Sequence, residues 1–529
     1  MSSTKVTSQA LPACAQPVLS TAELRAIEAK FHNLDLMRRA GKAAAEFLMA
    51  RTTRDSKIVL FAGPGNNGGD ALACAVELAQ TGYAPIVVVL ADVTKYSADA
   101  GRMWSRVQEL CPAPSTLRGE GWGEGGAQSH RSYPPLPNPP APRGSGRITV
   151  LREFPVPLNA DWIVDGLFGI GLKRPLDAGY SDAVRAIAAA RATSVKVLAL
   201  DIPSGIDADT GALVGDAVVA ADHTLTFLAL KPGLLTGPAL DYVGELHCDA
   251  LGIASIPQSP VHALDQTYID AIRHHQPTNA HKGTNGICVV IGGATGMLGA
   301  AFLASRAAMR CGAGKVKLGW IADPAPQVDQ LMPEVMMSTA NGLLTSDCSA
   351  MVVGCGLGVS STAIQALRAA LRRAVPLVVD ADALNLIAQS AELATLMQRR
   401  TAPTIITPHP AEASRLLGCS TGAVQDDRLR AARDLAKGYR CISVVKGAGT
   451  VVCDGVATTI NRTGNPLLAT AGTGDVLAGM IGALLAQGYD AATSARLGVC
   501  MHGAAADALA ARGIRHAVAS DVIGELSCL

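Results

Sequence analysis

The chain lacks any uncharged apolar run approaching the roughly 18–20 residues that a membrane helix needs, so its hydrophobic residues are expected to go into folded cores. It also lacks long blocks of like charge. With 45 basic residues against 44 acidic ones the net charge is +1, which excludes the basic footprint of a nucleic-acid-binding surface. No Cys-x-x-Cys pair occurs among the 13 cysteines, and their odd number and scatter suit reduced, buried thiols better than a disulfide framework or a cysteine zinc site. Nor is there a Gly-x-x-x-x-Gly-Lys-Ser/Thr stretch, which argues against a P-loop ATPase. The segment Met1 to Ser20 carries one Lys and is interrupted by Pro12, Gln16 and Pro17, so the apolar region of a secretory signal is missing. The expectation is a soluble cytoplasmic protein with no membrane or nucleic-acid partner.

At 529 residues the chain exceeds one hydrophobic core and is expected to form at least two domains. Its first half alternates strand and helix patterns: strands at 57–62 and 85–91, a helix at 71–80, then strands at 162–165 and 195–201. Such alternation predicts a parallel sheet covered by helices on both faces. The last two strands end in Asp165 and Asp201, at the edge where open α/β sheets bind ligands. Residues 111–147 are dense in Pro, Gly, Arg and Ser and read as a disordered insertion within one domain. A polar stretch around 258–280 marks the expected boundary between a domain at 1–260 and another at 270–529. Beyond it the alternation resumes, with strands at 286–293, 315–320, 351–354, 376–380, 404–407 and 441–446 and helices at 300–311, 363–374 and 426–437. The fold class is therefore α/β in both halves, without an internal repeat.

What is present, and most informative, is the stretch Asn465 to Gly479. Ala471, Gly472, Thr473 and Gly474 form a glycine-rich turn that opens an apolar helix, so their backbone N–H groups converge on an anion at the positive end of the helix dipole. Asp475 stands at the mouth of this hole. A carboxylate facing phosphate is suited to accept the proton of an attacking hydroxyl, a contribution of roughly 10²–10⁴-fold. The plainer alternative is a helix N-cap.

The first half has its own turn. Gly63, Gly65 and Gly68 satisfy the Gly-x-Gly-x-x-Gly spacing of a dinucleotide fold, with Asp92 as the ribose acid of a dehydrogenase. Asn66, Asn67 and Asp70 supply more carboxamide and carboxylate groups than a pyrophosphate turn needs. An Asn-Gly turn without chemistry is the structural alternative.

The segments Gly65-Asn66-Asn67-Gly68-Gly69-Asp70, Val164 to Gly171 and Leu200 to Asp207 together resemble the epimerase domain that repairs hydrated NADH and NADPH, over about residues 22–251. The resemblance implies a Rossmann-like three-layer domain. It also implies that Asn66, Asn67, Gly68, Gly69 and Asp70, with Gly169, Ile170, Gly171, Leu172, Lys173, Arg174 and Pro175, contact the hydrated nucleotide. Asn67, Asp165 and Ser204 would hold a potassium ion, and Asp201 would be both a substrate contact and the acid–base group. Ala71 departs from the glycine usual at that place.

In the second half, His281 to Gly286, Gly292 to Ala300, Pro333 to Met336, Asp380 to Asn385, Thr407 to Pro410, Lys446 to Thr450 and the Gly-Thr-Gly-Asp turn occur in an order that resembles the nucleotide-dependent dehydratase domain of the same repair system, a ribokinase-like α/β fold, from about residue 270 onward. This implies that Lys446, Gly447, Ala448, Gly449, Thr450 and Gly474 bind ADP with Mg²⁺, that Ala300, Gly356, His409 and Asp475 contact the hydrate, and that Asp475 is the catalytic base. Cys355 departs from the proline usual there. The expectation is a bifunctional enzyme, homo-oligomeric, that epimerises R and S hydrates and dehydrates the S epimer with ADP. Two rivals remain open: a ribokinase-like small-molecule kinase that releases a phosphorylated product, and an N-terminal half that only binds nucleotide or a partner.

Overall fold

A computed structural model describes residues 11–111, 146–254, 259–273, 278–279 and 281–528; most of the expected insertion at 111–147 lies outside them. The strands are β1 (Gln16–Pro17), β2 (Ile58–Ala62), β3 (Ile86–Val89), β4 (Thr149–Leu151), β5 (Trp162–Gly166), β6 (Lys196–Leu200), β7 (His223–Phe227), β8 (Glu245–Asp249) and β9 (Val261–Leu264). They continue with β10 (Ile287–Gly292), β11 (Lys315–Trp320), β12 (Met336–Thr339), β13 (Ala350–Val353), β14 (Leu377–Val379), β15 (Thr404–Ile406), β16 (Ile442–Val445), β17 (Val451–Cys453) and β18 (Thr458–Asn461).

The first sheet has seven strands in the order β4-β3-β2-β5-β6-β7-β8, and every neighbouring pair is parallel. Its central strands β2, β5 and β6 are apolar except for Lys196 and Asp165, because helices cover both faces. Strand order reverses between β2 and β5, so the loops that leave these two strands part and open a crevice. Three helices wall it: α1 (Thr21–Lys30), α2 (Leu36–Met49) and α3 (Asn66–Gln80). Helix α1 starts in a capping box in which Ser20 and Glu23 satisfy each other's backbone N–H groups. Gly41 lets α2 approach α3 closely, since a Cβ there would lie 2.3 Å from that of Ala73.

Helix α3 begins five residues earlier than the sequence pattern predicted. Gly65 is its N-cap, and Asn66 to Asp70 form its first turn, not a free loop. Ala71 is accommodated because its methyl group faces Gly166 of β5, where a Cβ would come within 2.5 Å.

The second sheet has eleven strands in the order β1-β9-β18-β17-β16-β15-β14-β13-β10-β11-β12. Strands β10 to β16 are parallel to one another, β17 then pairs antiparallel with β16, and the switch falls between β10 and β13. The described part of the stretch expected to be a polar boundary, 258–280, instead contributes β9 and the helix Gln266–Ile272. Val261, Ala263, Leu264, Tyr268 and Ile269 are all buried, and this apolar content was masked by the polar residues around it. Strand β1, from the start of the chain, pairs antiparallel with β9 and so crosses into this second sheet.

The two halves share one apolar cluster that runs from Ile202, Leu230 and Leu234 through Val261 to Ile406, Leu429 and Val451. They also interlock through backbone. Thr236 Oγ1 donates to Gly449 O at 2.9 Å and the Gly237 amide donates to Ala448 O at 3.3 Å. A Cβ on Gly449, whose φ is +66°, would lie 1.9 Å from Leu235 O. The change Gly449→Ala is therefore expected to lower the melting temperature by several degrees, whereas Gly438→Ala, at a helical position with nothing within 4 Å, leaves it unchanged or raises it slightly. Differential scanning calorimetry of the two variants checks this.

Candidate active sites

The first crevice encloses about 460 Å³. Of the residues expected to meet substrate, Asn66, Asn67, Asp70, Gly169, Ile170, Gly171, Leu172 and Asp201 line it. Gly68 and Gly69 do not. They let α3 sit tightly, Gly68 against the Gly63 carbonyl and Gly69 against Met37. Lys173 also points elsewhere, its ammonium 2.8 Å from Asp207 and 3.3 Å from Asp209. Arg174 and Pro175 lie outside the lining, and Pro175 packs beside Gly215.

Asp201 follows β6 with φ +64°, a strained conformation for a non-glycine residue that persists only where its surroundings hold it. Its holder is Lys231, 2.7 Å from Asp201 Oδ1 and 1% exposed. The Lys231 ammonium also donates to Thr226 Oγ1 at 2.7 Å and to the carbonyls of Phe227 and Ala229, so its protons are fully used. Around this pair stand two further carboxyls. Burial, reinforced by the Asp201 and Glu28 charges, pushes Asp70 well above the usual carboxylate range, and burial followed by Asp201 raises Glu28. Sequence reasoning missed Lys231, Glu28 and the α1 and α2 wall. The signal for Lys231 was the Lys-Pro-Gly sequence just beyond β7; Glu28 on an ordinary amphipathic helix gave none.

Asn67, Asp165 and Ser204 do come together. Asp165 is fully buried, accepting from Ser204 Oγ at 2.7 Å, the Ser204 amide at 2.8 Å and the Leu167 amide at 3.1 Å. Burial lifts its pKa to about 6 against the lowering by these donors. Asn67 Nδ2 donates to Phe168 O at 2.8 Å, while the buried Asn67 Oδ1 has no protein partner. The set is all oxygen with one formal charge, which suits a hard cation.

The second constellation gathers at the switch between β10 and β13. The helix Thr473–Ala486 is entered through Gly472 at φ +91° as N-cap, without a side-chain cap. Its first N–H groups therefore remain available to an anion. Asp475 is the third residue of this helix and not its cap. Its carboxylate faces Cys355 and Asp380, the three ligand atoms lying within 4.8 Å of one another. Burial and the Asp380 charge raise Asp475 to about 6, while the Cys355 thiol lowers it by hydrogen bonding. Burial and then Asp475 push the Cys355 thiol far up, so it remains protonated and donates.

Lys446 Nζ lies 2.8 Å from Asp380 Oδ1, which also accepts from Thr407 Oγ1 at 2.7 Å. Burial alone would lower Lys446, but Asp380 and Glu412 more than offset it and leave the lysine raised. A Cβ on Gly474 would sit 3.2 Å from this ammonium, which places Lys446 under the turn. Gly356 and Ala300 are neighbours, a Cβ on the former lying 3.1 Å from that of the latter. His409 caps the helix Pro410–Leu417 with Nδ1 accepting from the Ala411 amide, and burial followed by the Lys446 charge lowers its ring below the usual imidazole range. The loop 447–450 also meets the first domain, Ala448 and Gly449 lying against Leu235 to Gly237, while Gly447 and Ala448 stay exposed.

Residues 288–527 match the family described as NAD(P)H-hydrate dehydratase, and residues 33–233 match the YjeF-related protein N-terminus. The chain is 37% identical over 520 residues to a bifunctional NAD(P)H-hydrate repair enzyme of Coxiella burnetii, covering 96% of this chain and 97% of that protein. It is 36% identical to the Escherichia coli protein of the same description, covering 93% and 88% respectively. Among solved structures, the ADP/ATP-dependent NAD(P)H-hydrate dehydratase of Bacillus subtilis, co-crystallized with ATP/Mg²⁺, matches 49% of this chain and 94% of its own at 29% identity and TM-score 0.45.

If Asp475 must be ionised to act, activity at the second site rises with pH through about 6 and is flat above. Removing the thiol's hydrogen bond in Cys355→Ala shifts that limb to higher pH, because the ionised form loses a donor. A pH–rate profile of the two proteins reads the displacement. With so much of both chains aligned, this chain belongs to the family of bifunctional NAD(P)H-hydrate repair enzymes.

Proposed function

We propose that the first crevice interconverts the R and S epimers of hydrated NADH and NADPH, and that the second site dehydrates the S epimer at the expense of ADP. The observation that carries the reading is an uncapped helix N-terminus with a carboxyl raised to about 6 in its first turn.

At the second site the hydroxyl of the hydrate gives its proton to Asp475 as its oxygen attacks the terminal phosphoryl of ADP. The N–H groups of residues 471–474 stabilise the charge on the transferring phosphoryl, and Lys446 beneath Gly474 adds a positive charge. Phosphate is then expelled from this ester as the ring-nitrogen lone pair breaks the ring C–O bond, the neighbouring ring proton is lost, and NADH, AMP and phosphate result. Mg²⁺ supplies charge neutralisation between the nucleotide phosphates. The donors here fit an ion carried mainly by phosphate and water, because Asp380 is already held by Lys446 and Thr407 and the Cys355 thiol is protonated. Ala300, Gly356 and His409 would border the hydrate, and Lys446 to Thr450 with Gly474 the nucleotide.

At the first site the ring nitrogen helps hydroxide depart, and water returns to either face of the planar cation. Asp70, raised well above the usual carboxylate range by burial and its acidic neighbours, supplies the proton to the leaving oxygen. The Asp201 carboxylate, fixed by Lys231, takes the proton from the returning water. The orphaned Asn67 Oδ1, with Asp165 and Ser204, fits potassium, which when bound supplies a fixed positive charge between the two crevice loops. Homo-oligomeric assembly belongs to the same proposal and is supported by Val328, Leu331 and Met336, exposed beside edge strand β12. So does a cytoplasmic location, supported by thirteen unpaired cysteines. Among the described residues no helix is long and apolar enough to cross a membrane.

The test is recovery of reduced-nicotinamide absorbance from mixed epimers of hydrated NADH with ADP or ATP. Recovery with ADP is expected, and none with either nucleotide would overturn the reading. Asp475→Asn is expected to slow dehydration by about 10²–10⁴-fold with epimer exchange intact. Asp201→Asn should instead stop recovery once the S epimer is exhausted, with the spontaneous exchange rate measured separately. A kinase acting on a stable acceptor would show nucleotide turnover without NADH.

A further inference from the structure

A second cluster of chemically competent side chains lies at the opposite end of the first sheet. The crevice opens at the carboxyl ends of the strands, whereas His223 opens β7, and Glu245 and His247 stand at positions one and three of β8, the edge strand beside it. His223 and Glu245 are register partners, and His247 projects from the same face as Glu245 because strand side chains alternate.

Three donor groups converge there. His223 Nδ1 lies 3.4 Å from His247 Nε2 and 3.3 Å from Glu245 Oε2, and His247 Nε2 lies 3.5 Å from Glu245 Oε1. Two imidazoles and one carboxylate are a donor set that first-row transition metals take readily. The spacing discriminates among geometries. Ligand atoms bound at about 2.1 Å are about 3.4 Å apart in a tetrahedron but only about 3.0 Å apart at right angles in an octahedron. The separation of the two imidazole nitrogens, 3.4 Å, matches the tetrahedral value, and one oxygen of Glu245 stands near each ring, at 3.3 and 3.5 Å.

The rings are held in place by apolar neighbours, as a preorganised site requires. Phe47 meets both edge-on, with centroids 5.4 Å from His223 and 4.9 Å from His247, and Trp162 stacks on His223 at 5.7 Å. Arg51 and Lys196 are nearby positive charges, the Arg51 guanidinium lying over the Phe47 ring at 3.7 Å, and Asp222 acts in the opposite sense. The side chains of His223 and His247 are 19% and 24% exposed and that of Glu245 is 66% exposed, so solvent reaches one side of the triangle.

From this juxtaposition we infer that His223, Glu245 and His247 form a tetrahedral site for a zinc-class divalent cation, with water as fourth ligand. The ion would staple the outermost strand β8 to β7. Its distance from the carboxyl ends of the strands makes it a structural site, not a participant in either reaction.

The test uses the full chain without a histidine tag, stripped with a chelator and titrated with ZnCl₂ by calorimetry. The wild-type protein is expected to bind one zinc equivalent more than His223→Ala/His247→Ala. Adventitious binding by exposed Cys248, Cys419 and Cys528 is common to both proteins and cancels. Glu245→Gln, which keeps both rings and tests the site if the double variant folds poorly, should weaken the extra equivalent by at least the roughly 10–100-fold known for outer-shell losses. Zinc should also raise the melting temperature of the wild type and not of either variant, with both catalytic rates of the stripped variants unchanged. Equal zinc stoichiometry and an equal thermal shift in wild type and Glu245→Gln would overturn the inference and leave a hydrogen-bonded His–Glu cluster.

Discussion

Both crevices depend on backbone touching backbone where no Cβ intervenes. At the first switch a Cβ on Gly63 would lie 1.7 Å from Leu167 O, and at the second one on Gly292 would lie 2.1 Å from Cys355 O. Such contacts cannot be relaxed by turning a side chain, so they fix how far the two loops leaving each switch stand apart. Everything that follows is set at that distance: Asn67 against Phe168 in one sheet, and Asp475 against Cys355 and Asp380 in the other.

The sites also solve the same electrostatic problem in the same way. Each holds one buried ammonium against one aspartate at a strand end, Lys231 with Asp201 at 2.7 Å and Lys446 with Asp380 at 2.8 Å. Removing a charge from water costs several kcal/mol, and pairing recovers that only when the remaining protons are satisfied. Lys231 meets this condition through Thr226 and two carbonyls. The remaining acids, Asp70 and Asp475, have no such partner of their own, and burial raises both above the usual carboxylate range, Asp475 to about 6.

The sequence made the parallel cores legible because a strand buried on both faces must be apolar. The strands from Ile287 to Val445 that were foreseen fall within one or two residues of their expected places. The glycine-rich turns were equally visible, since few residues other than glycine permit such approach. What escaped was decided by tertiary partners. Strand β8 is a polar five-residue edge, and β1 is a two-residue pairing whose partner lies more than two hundred residues away. The ion pairs of Lys173 with Asp207 and Asp209 were likewise out of reach, because they join residues more than thirty positions apart. Lys231 carried no sign of burial, because only the folded chain supplies the carboxylate and carbonyls that make burial tolerable.

The apolar cluster common to both halves bears on how the protein comes apart. Ile202 and Leu234 belong to one sheet's surroundings and Ile406 and Leu429 to the other's, yet they bury each other, and β1 carries the start of the chain across. Neither half can lose its structure without exposing apolar surface on its neighbour. The molecule is therefore a single cooperative unit in unfolding, and cutting it between its two chemistries would leave each fragment with a raw hydrophobic face prone to self-association.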